Sequence, residues 1–280
     1  MIKRIAGSII PRLLSKVPKN IKFLYPFYLA GQLNTTAEEY FSPNLPDAFD
    51  GLSLAFASDI HFGPLFSSDE ALRLYHRLLE LKTDLVILGG DYGNKLIDSI
   101  AFFNLIPSFP DSMKALAVIG NHDYGRKGES LEPLLTAMQT KNVVPLVNQV
   151  FTIKKQNAVF AVCGPDDLRC GKPQFGPLIT QSSDADFRLF VPHSPDLIPE
   201  AQRAGFEFHL ALCGHTHGGQ ITLFGHSLHS SSRYRDRYRS GWYREQGADI
   251  LVSNGVGTSI LPMRLGTKSE IHRLVLHSKA

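Results

Sequence analysis

From residue 51 onward, short apolar runs alternate with segments whose apolar residues recur at helical spacing. Residues 52–58, "TDLVILGGD" and "ALAVIGNHD" each contain a short apolar run that ends in glycine or polar residues, the pattern of buried strands. Between the first two runs, residues 67–82 predict a helix. Ser67 or Ser68 can cap it, and Leu74, Leu78 and Leu81 share one side. Strand and helix therefore alternate in the first half of the chain.

The second half is richer in strands. The segment "ESLEPLLTAMQTK" predicts a helix, whereas "NVVPLV", "VFTIK" and "AVFAVCG" predict strands. Two further strands, "DFRLFVPHSPD" and "FEFHLALCG", flank a short helix closed by Gly205. The pattern indicates a layered α/β fold with a largely parallel or mixed sheet. Without an internal repeat or low-complexity linker, we expect residues 51–280 to form one domain and residues 1–50 an N-terminal extension.

The N-terminal segment is basic and apolar but has no secretory or membrane-spanning pattern. Pro11 and Arg12 interrupt its first apolar stretch, and "FLYPFYLAG" is far shorter than the ~20 residues that a spanning helix needs. Residues 1–30 could instead form a basic amphipathic element on an anionic membrane. The alternative is a strap packed on the domain or a frayed terminus. We expect a cytoplasmic protein, with peripheral contact to the cytoplasmic face of the inner membrane.

Composition and charge narrow the choice of partners. The chain of 280 residues is 43% apolar and 20% charged, which is ordinary for a soluble globular protein. Its formal net charge of +3 is too small to indicate a nucleic-acid partner, and we expect none. Cys163, Cys170 and Cys213 form no CxxC pair and cannot all pair internally, which favours a reducing compartment.

Five predicted strands end in polar residues that can bind metal ions. Because ligands bind at the carboxyl ends of strands in open α/β sheets, we expect these side chains to converge on one cleft. The candidates are Asp59, His61, Asp91, Asn121, His193, His215 and His217. Within "DIH" and "HTH", side chains two positions apart in an extended segment point the same way, so both members of each pair can face that cleft.

These donors are too many for a single tetrahedral zinc ion, which takes four ligands. They suit two metal ions that share a ligand. Oxygen and nitrogen donors without thiolate fit manganese, iron, zinc or nickel better than magnesium. Any one of these residues alone is more typical of a hydrogen-bonded or turn position. The prediction of a metal site therefore rests on the polar segments at the ends of all five strands taken together.

The motifs "SDIH", "GGD", "GNHD", "PHSP" and "CGHTHGG", in this order, resemble those of the calcineurin-like metallophosphoesterases. The resemblance implies a four-layer αββα sandwich of mixed sheets flanked by helices, with a dinuclear centre between the sheets. It also implies that Asp59, His61 and His217 hold one metal ion and that Asn121, His193 and His215 hold the other. Asp91 would bridge the two ions, of which manganese is the first candidate.

Two neighbouring residues complete the predicted chemistry. Two ions ~3.5–4 Å apart can activate water and polarise a phosphoryl group. His122 is not needed as a ligand, so we expect it to stabilise or protonate the leaving group, with Asp123 orienting its ring. A purely structural role for His122 is the alternative.

The tail suggests a substrate class. The segments after "HTHGGQ" resemble a bacterial branch that includes membrane-associated phosphodiesterases and UDP-2,3-diacylglucosamine pyrophosphatases, which release lipid X and UMP in lipid A synthesis. Guanidinium groups suit phosphate, so four arginines are candidate substrate contacts. They are Arg169, Arg233, Arg235 and Arg237. A solvated surface loop is the alternative for the last three, as a charged surface turn is for Arg169. A broad phosphodiesterase and a non-catalytic membrane- or nucleic-acid-binding module are the other hypotheses.

Overall fold

Two six-stranded mixed sheets lie face to face in the computed structural model, which describes residues 24–126, 129–224, 226–228 and 230–279. Strands are numbered in chain order. The first sheet has the order β1-β14-β2-β3-β4-β5. Its strands are β1 (Asn34–Phe41), β2 (Leu52–Ala57), β3 (Leu85–Leu88), β4 (Lys114–Ala117), β5 (Val143–Pro145) and β14 (Glu270–His277). Strands β2 to β5 are parallel, and β14 is antiparallel to β2.

The second sheet has the order β12-β13-β9-β8-β7-β6. Its strands are β6 (Gln149–Lys155), β7 (Ala158–Gly164), β8 (Phe187–Phe190), β9 (Leu210–Cys213), β12 (Gly241–Glu245) and β13 (Ala248–Val252). Strands β7, β8, β9 and β13 are parallel, and the two edges are antiparallel. A separate two-stranded ribbon joins β10 (Thr222–Leu223) to β11 (His226–Ser227).

Helices cover both outer faces. They are α1 (Tyr25–Ala30), α2 (Ser68–Glu80), α3 (Leu96–Leu105), α4 (Glu132–Gln139), α5 (Phe175–Gln181) and α6 (Leu197–Arg203). Helix α2 begins where the sequence predicts, because Ser67 and Glu70 form a reciprocal cap on its first turn. Helices α2, α3 and α4 share an apolar cluster with the first sheet, and α5 and α6 share one with the second.

A third apolar cluster lies between the two sheets. It contains side chains from the central strands of both, such as Phe56 and Ile87 from the first sheet and Phe187 and Leu212 from the second. Because the central strands are buried on both faces, they read as continuous apolar runs. The four-layer αββα sandwich is therefore confirmed, and the single layered sheet that the residue pattern alone suggested is replaced by two sheets.

The domain begins earlier than residue 51. Strand β1 pairs in parallel with β14 along eight positions and forms the edge of the first sheet, so residues 34–41 are part of the domain and not of an extension. Residues 1–23, including most of the predicted amphipathic element, lie outside the described residues. Among the residues that the structure describes, no helix combines the length and apolarity needed to cross a membrane.

Candidate metal centre

The carboxyl ends of five strands bring the predicted ligands together. Strands β2, β3 and β4 of the first sheet lead to Asp59 and His61, to Asp91 and to Asn121. Strands β8 and β9 of the second sheet lead to His193 and to His215 and His217. Because these strands are parallel within each sheet, their ends lie at one edge, where the sandwich opens. Six of the seven predicted ligands therefore offer donor atoms to one centre contributed by both sheets, and Asn121 stands beside it, next to His122, whose backbone N–H donates to Asp91.

One half of the centre contains Asp59, His61 and His217. The Nε2 atoms of His61 and His217 lie 3.0 Å apart, and Asp59 Oδ1 lies 3.5 Å from His217 Nε2. Each of the three residues offers a donor atom within 4.8 Å of those of the other two. All three side chains are buried. This is the geometry of a set of ligands around one ion.

The other half contains His193 and His215, with Asp91 between the halves. Asp91 Oδ2 lies 3.2 Å from His193 Nε2 and 3.8 Å from His61 Nε2, so this carboxylate contacts both halves. His215 Nδ1 lies 3.3 Å from His193 Nε2. The amide oxygen of Asn121 is buried and has no hydrogen-bond partner among the described residues. The position of Asp91 is the one required of a bridging ligand.

The backbone at these ligands is strained. Asp59, His61, Asp91, His215 and His217 all have a left-handed φ, between 52° and 71°. Non-glycine residues adopt this region at a cost of ~1–3 kcal/mol each, and such strain concentrates at functional sites. It is tolerated here because the loops are held on both sides by the sandwich, and it lets successive residues turn their side chains into one cavity.

Glycines allow the strand ends to approach one another. Gly90 has a φ of 89°, and a Cβ there would lie 2.7 Å from the backbone nitrogen of Gly120. A Cβ on Gly120 would collide with the carboxylate of Asp91, and one on Gly214 would collide with that of Asp59. The glycines in "GGD", "GNHD" and "CGHTH" are therefore required by the close packing of backbone against ligands.

Hydrogen bonds to backbone groups orient several of the predicted ligands. His193 Nδ1 lies 2.7 Å from the carbonyl oxygen of Gly89, which fixes the ring and directs Nε2 toward Asp91. The backbone N–H of His215 donates to the Asp59 carboxylate, and that of His122 donates to Asp91 Oδ1 at 2.8 Å. These contacts hold the donor atoms in place before any ion arrives.

Burial and mutual contact set the charge states of the histidines. Burial, reinforced by the His193 charge, lowers the pKa of His215 to about 3, and burial also lowers the pKa of His61 and His217. Burial opposes the charged form of His193 too, but Asp91 outweighs it and raises the His193 pKa to about 10. Three of the four imidazoles are therefore held neutral, which is the form that binds metal ions.

The residues fit two divalent ions. Asn121 Oδ1 is a buried acceptor without a hydrogen-bond partner among the described residues. Buried polar atoms are rarely left unpaired, and each such atom requires an explanation. Carboxylate, amide and imidazole donors without thiolate are the set that two hard or borderline ions take.

His122 and Asp123 differ in their surroundings from what the sequence predicts. His122 is partly exposed, its ring stands edge-on to that of His61 at 5.0 Å, and its Nδ1 lies 3.3 Å from the carbonyl oxygen of Asn94. Asp123 is fully buried, and its two oxygens accept hydrogen bonds from the backbone of Asp91, Tyr92 and Gly120 and from Ser99. These four hydrogen bonds occupy the Asp123 carboxylate, so its expected role in orienting the His122 ring stays a prediction. Asp123 holds the Asp91 loop, and the Asn94 carbonyl orients the ring.

The four candidate arginines separate into two groups. Arg169 lies in the loop after β7, donates to the carbonyl of Ser231 and stands near enough to His215 for its charge to help lower the pKa of that histidine. Arg233 instead pairs with Glu200, and Arg237 pairs with Glu245 at 2.9 Å. Arg235 is exposed. The prediction that Arg233 and Arg237 bind phosphate is thus not supported by their contacts.

Two further residues, which the sequence pattern does not indicate, support the centre. Arg264 is fully buried, and its guanidinium donates to carbonyls of Asn254, Gly255 and Gly257, which lie behind Asp59. Asp167 is buried after β7, and its Oδ2 accepts from the backbone of Arg169 and Cys170. The signal for Arg264 is a lone arginine in an apolar loop, which is too common to single out a site.

Comparison with known proteins agrees with this geometry. Residues 52–219 match the family model described as calcineurin-like phosphoesterase. The chain is 28% identical to the uncharacterised metallophosphoesterase YkuE of Bacillus subtilis over 262 residues, 91% of this chain and 89% of that protein. It is 30% identical to the phosphodiesterase YaeI of Escherichia coli over 231 residues, 80% of this chain and 81% of that protein. The span matched by the family model, residues 52–219, contains all seven predicted ligands.

Proposed function

The chain belongs to the calcineurin-like phosphoesterase family, and from that premise we propose that it hydrolyses phosphodiester or pyrophosphate bonds in a lipid-linked substrate. It is a metal-dependent phosphoester hydrolase with a site for two divalent ions. The observation that carries the proposal is the convergence on one centre of six predicted ligands from the ends of four strands, namely Asp59, His61, Asp91, His193, His215 and His217. A non-catalytic binding module would have no need of this complete set. We further propose manganese as the resident metal, with iron, zinc or nickel as alternatives.

When bound, the two ions supply an activated water molecule and withdraw charge from the phosphoryl oxygens. Asp59, His61 and His217 would hold one ion, His193, His215 and Asn121 the other, and Asp91 both. We assign the remaining step, protonation of the leaving group, to His122. Because the Asn94 carbonyl can only accept a hydrogen bond, Nδ1 of His122 carries a proton. In the doubly protonated ring, Nε2 carries a second proton and donates it to the departing oxygen of the leaving group, which leaves the ring neutral.

Arg169 is the candidate contact for a substrate phosphate. Its loop is fixed by Asp167 and by Asp166, which accepts hydrogen bonds from the backbone of Asp167 and Lys172. A rigid loop lets the guanidinium meet a phosphate oxygen without a large loss of side-chain freedom. Arg235 is a second candidate for contact with a substrate phosphate, because its side chain is exposed to solvent.

UDP-2,3-diacylglucosamine is the specific substrate that we propose, cleaved to UMP and 2,3-diacylglucosamine 1-phosphate. Its support is the sequence resemblance described above. The relative YaeI, named a phosphodiesterase, supports the alternative of broad activity on soluble nucleotides and phosphodiesters.

One assay distinguishes hydrolysis of UDP-2,3-diacylglucosamine from broad phosphodiesterase activity. Purified protein with added Mn²⁺ is assayed on UDP-2,3-diacylglucosamine and on bis-p-nitrophenyl phosphate, with phosphorus-resolved product analysis. Release of UMP with strong preference for the lipid nucleotide supports the specific substrate. Activity on the small diester alone refutes it and leaves the broad phosphodiesterase. The absence of both activities refutes the proposed function.

We also propose that the protein is cytoplasmic and that residues 1–30 contact the inner membrane peripherally. Lys3, Arg4, Arg12 and Lys16 supply the charge that anionic lipid attracts. Replacing these four residues with glutamate should abolish co-sedimentation of the full chain with anionic vesicles. Equal sedimentation of both forms would refute the contact.

A further inference from the structure

An apolar groove of about 350 Å³ opens directly beside the first half of the metal centre. His217, a ligand, lines its inner end together with Thr216. Its walls come from the segment around β10 and β11 and from the loop that precedes β14, and they carry Ile221, Leu228, Ile260 and Leu261. The groove thus starts at a ligand and runs outward between apolar side chains.

The side chains of Thr216 and Gln220 in these walls already form hydrogen bonds within the protein. The side-chain amide of Gln220 donates to the carbonyls of Ser259 and Leu261 at 3.0 and 2.9 Å, and its oxygen accepts from the backbone of Ser259 at 2.9 Å. Both walls are therefore tied together by one side chain. Because this side chain satisfies its partners within the wall, it presents no free donor or acceptor to an occupant.

The apolar side chains around the groove are unusually exposed. Ile260 is 85% exposed and Leu228 is 67% exposed, and Phe224 nearby is fully exposed. Ile260 also has a left-handed φ of 57°, which is rare for a β-branched residue. Exposed apolar patches mark binding sites, and strained backbone is retained where function requires it. The groove is therefore shaped for an occupant that covers these side chains.

We propose that the groove is a subsite for a hydrocarbon chain attached to the phosphoester substrate. His217 belongs both to the metal centre and to the groove, so a chain lying in the groove continues directly from the reacting phosphate. Among the described residues that line the groove, none is acidic, and none is a lysine or an arginine, which favours an uncharged chain over a sugar phosphate. This inference rests on the proposed hydrolytic function and specifies which part of the substrate the site selects.

The test uses the full chain loaded with Mn²⁺ and two diesters that share a p-nitrophenyl leaving group, the ethyl ester and the decyl ester, both below their critical micelle concentration. We expect kcat/KM to rise by ~2- to 4-fold per methylene that enters the groove, the range for partial to full burial. Ile260→Ser and Leu228→Ser should bring the decyl-to-ethyl ratio of kcat/KM close to one. Ile179→Ser, a matched substitution of an exposed isoleucine on α5, should keep the wild-type ratio.

Each other outcome overturns the inference in a recognisable way. An active wild-type enzyme with equal kcat/KM for both esters shows that no chain binds, while the hydrolytic function stands. A ratio that persists in both groove variants places the chain elsewhere. A ratio that appears only above the critical micelle concentration assigns the apolar contact to a lipid surface. No hydrolysis of either ester refutes the proposed function itself.

Discussion

His122 and Asp123 are neighbours in the chain but act on different parts of the centre. The ring of His122 lies at the edge of the ligand cluster, whereas Asp123 is buried behind it and binds the backbone on which Asp91 sits. The sequence predicts both residues as functional, because they follow a ligand directly. It cannot tell which atoms the Asp123 carboxylate contacts, since those partners come from residues 91, 92 and 99.

Replacing His122 should separate chemistry from metal binding. His122→Ala removes the proton carrier without removing a ligand, so we expect kcat to fall by ~10²–10⁴ while metal content is retained. Asp91→Ala removes the ligand that contacts both halves and should lose metal. Steady-state kinetics combined with elemental analysis of both variants checks this. Near-wild-type turnover in His122→Ala would exclude the assigned role.

Replacing Asp123 should affect stability and metal binding together. In Asp123→Ala, the buried N–H groups of Asp91, Tyr92 and Gly120 lose their acceptor, at a cost of about 3 kcal/mol in the free energy of unfolding. Because Asp91 is displaced, metal content should fall as well. Denaturant titration and elemental analysis test both effects. Unchanged stability and metal content with a reduced kcat would instead support the role of orienting His122.

At the scale of elements, apolar runs predict the buried strands well. Strands β2, β3, β8 and β9 lie within the predicted runs, and β4 begins one residue before its run, at Lys114. The runs are visible because strands buried on both faces are apolar along most of their length. Helix α3, which the sequence analysis did not identify, is apolar on nearly every side and shows little helical periodicity. Strand β1 was missed because it is a polar edge strand whose partner, β14, lies more than 200 residues away.

A titratable histidine, His277, links β14 to β1 and to Asp50 through ion pairs. His277, in β14, lies 2.6 Å from Glu39 in β1 and 3.1 Å from Asp50 in the following turn. Its hydrogen bond to Glu39 and the one to Asp50 raise the pKa of His277 above its ordinary value of 6.5. A pKa raised in the folded state stabilises the fold fully below the unfolded pKa, and this contribution is lost as pH rises through the folded pKa.

His277→Gln should therefore destabilise the protein more in acid than in base. We expect the difference in the free energy of unfolding between wild type and variant to be larger at ~pH 5.5 than at ~pH 8.5. The stacking of His277 on Phe41 adds an offset that does not depend on pH. Urea titrations at both pH values, repeated at high salt to screen the ion pairs, provide the measurement. If the difference in the free energy of unfolding between wild type and variant is the same at both pH values, the ion pairs of His277 do not stabilise the fold.

At the scale of the whole molecule, the centre exists only because two sheets meet. The first sheet contributes Asp59, His61, Asp91 and Asn121, and the second contributes the remaining histidines. The order of motifs predicted seven ligands from the sequence, since each follows an apolar strand, and six of them cluster in the structure. The division of strands between two sheets came only from the resemblance, because residue patterns do not show which strands pair. The apolar groove was not predicted, since it depends on two loops about 40 residues apart.

The most direct test of the account is the metal stoichiometry of the full chain. The purified protein is stripped with chelator, reloaded with Mn²⁺, freed of excess metal and measured by elemental mass spectrometry alongside hydrolysis of bis-p-nitrophenyl phosphate. We predict two ions per chain, with activity that disappears on chelation and returns on reloading. One ion per chain with full activity, or activity that survives complete removal of metal, would contradict a dinuclear hydrolytic centre.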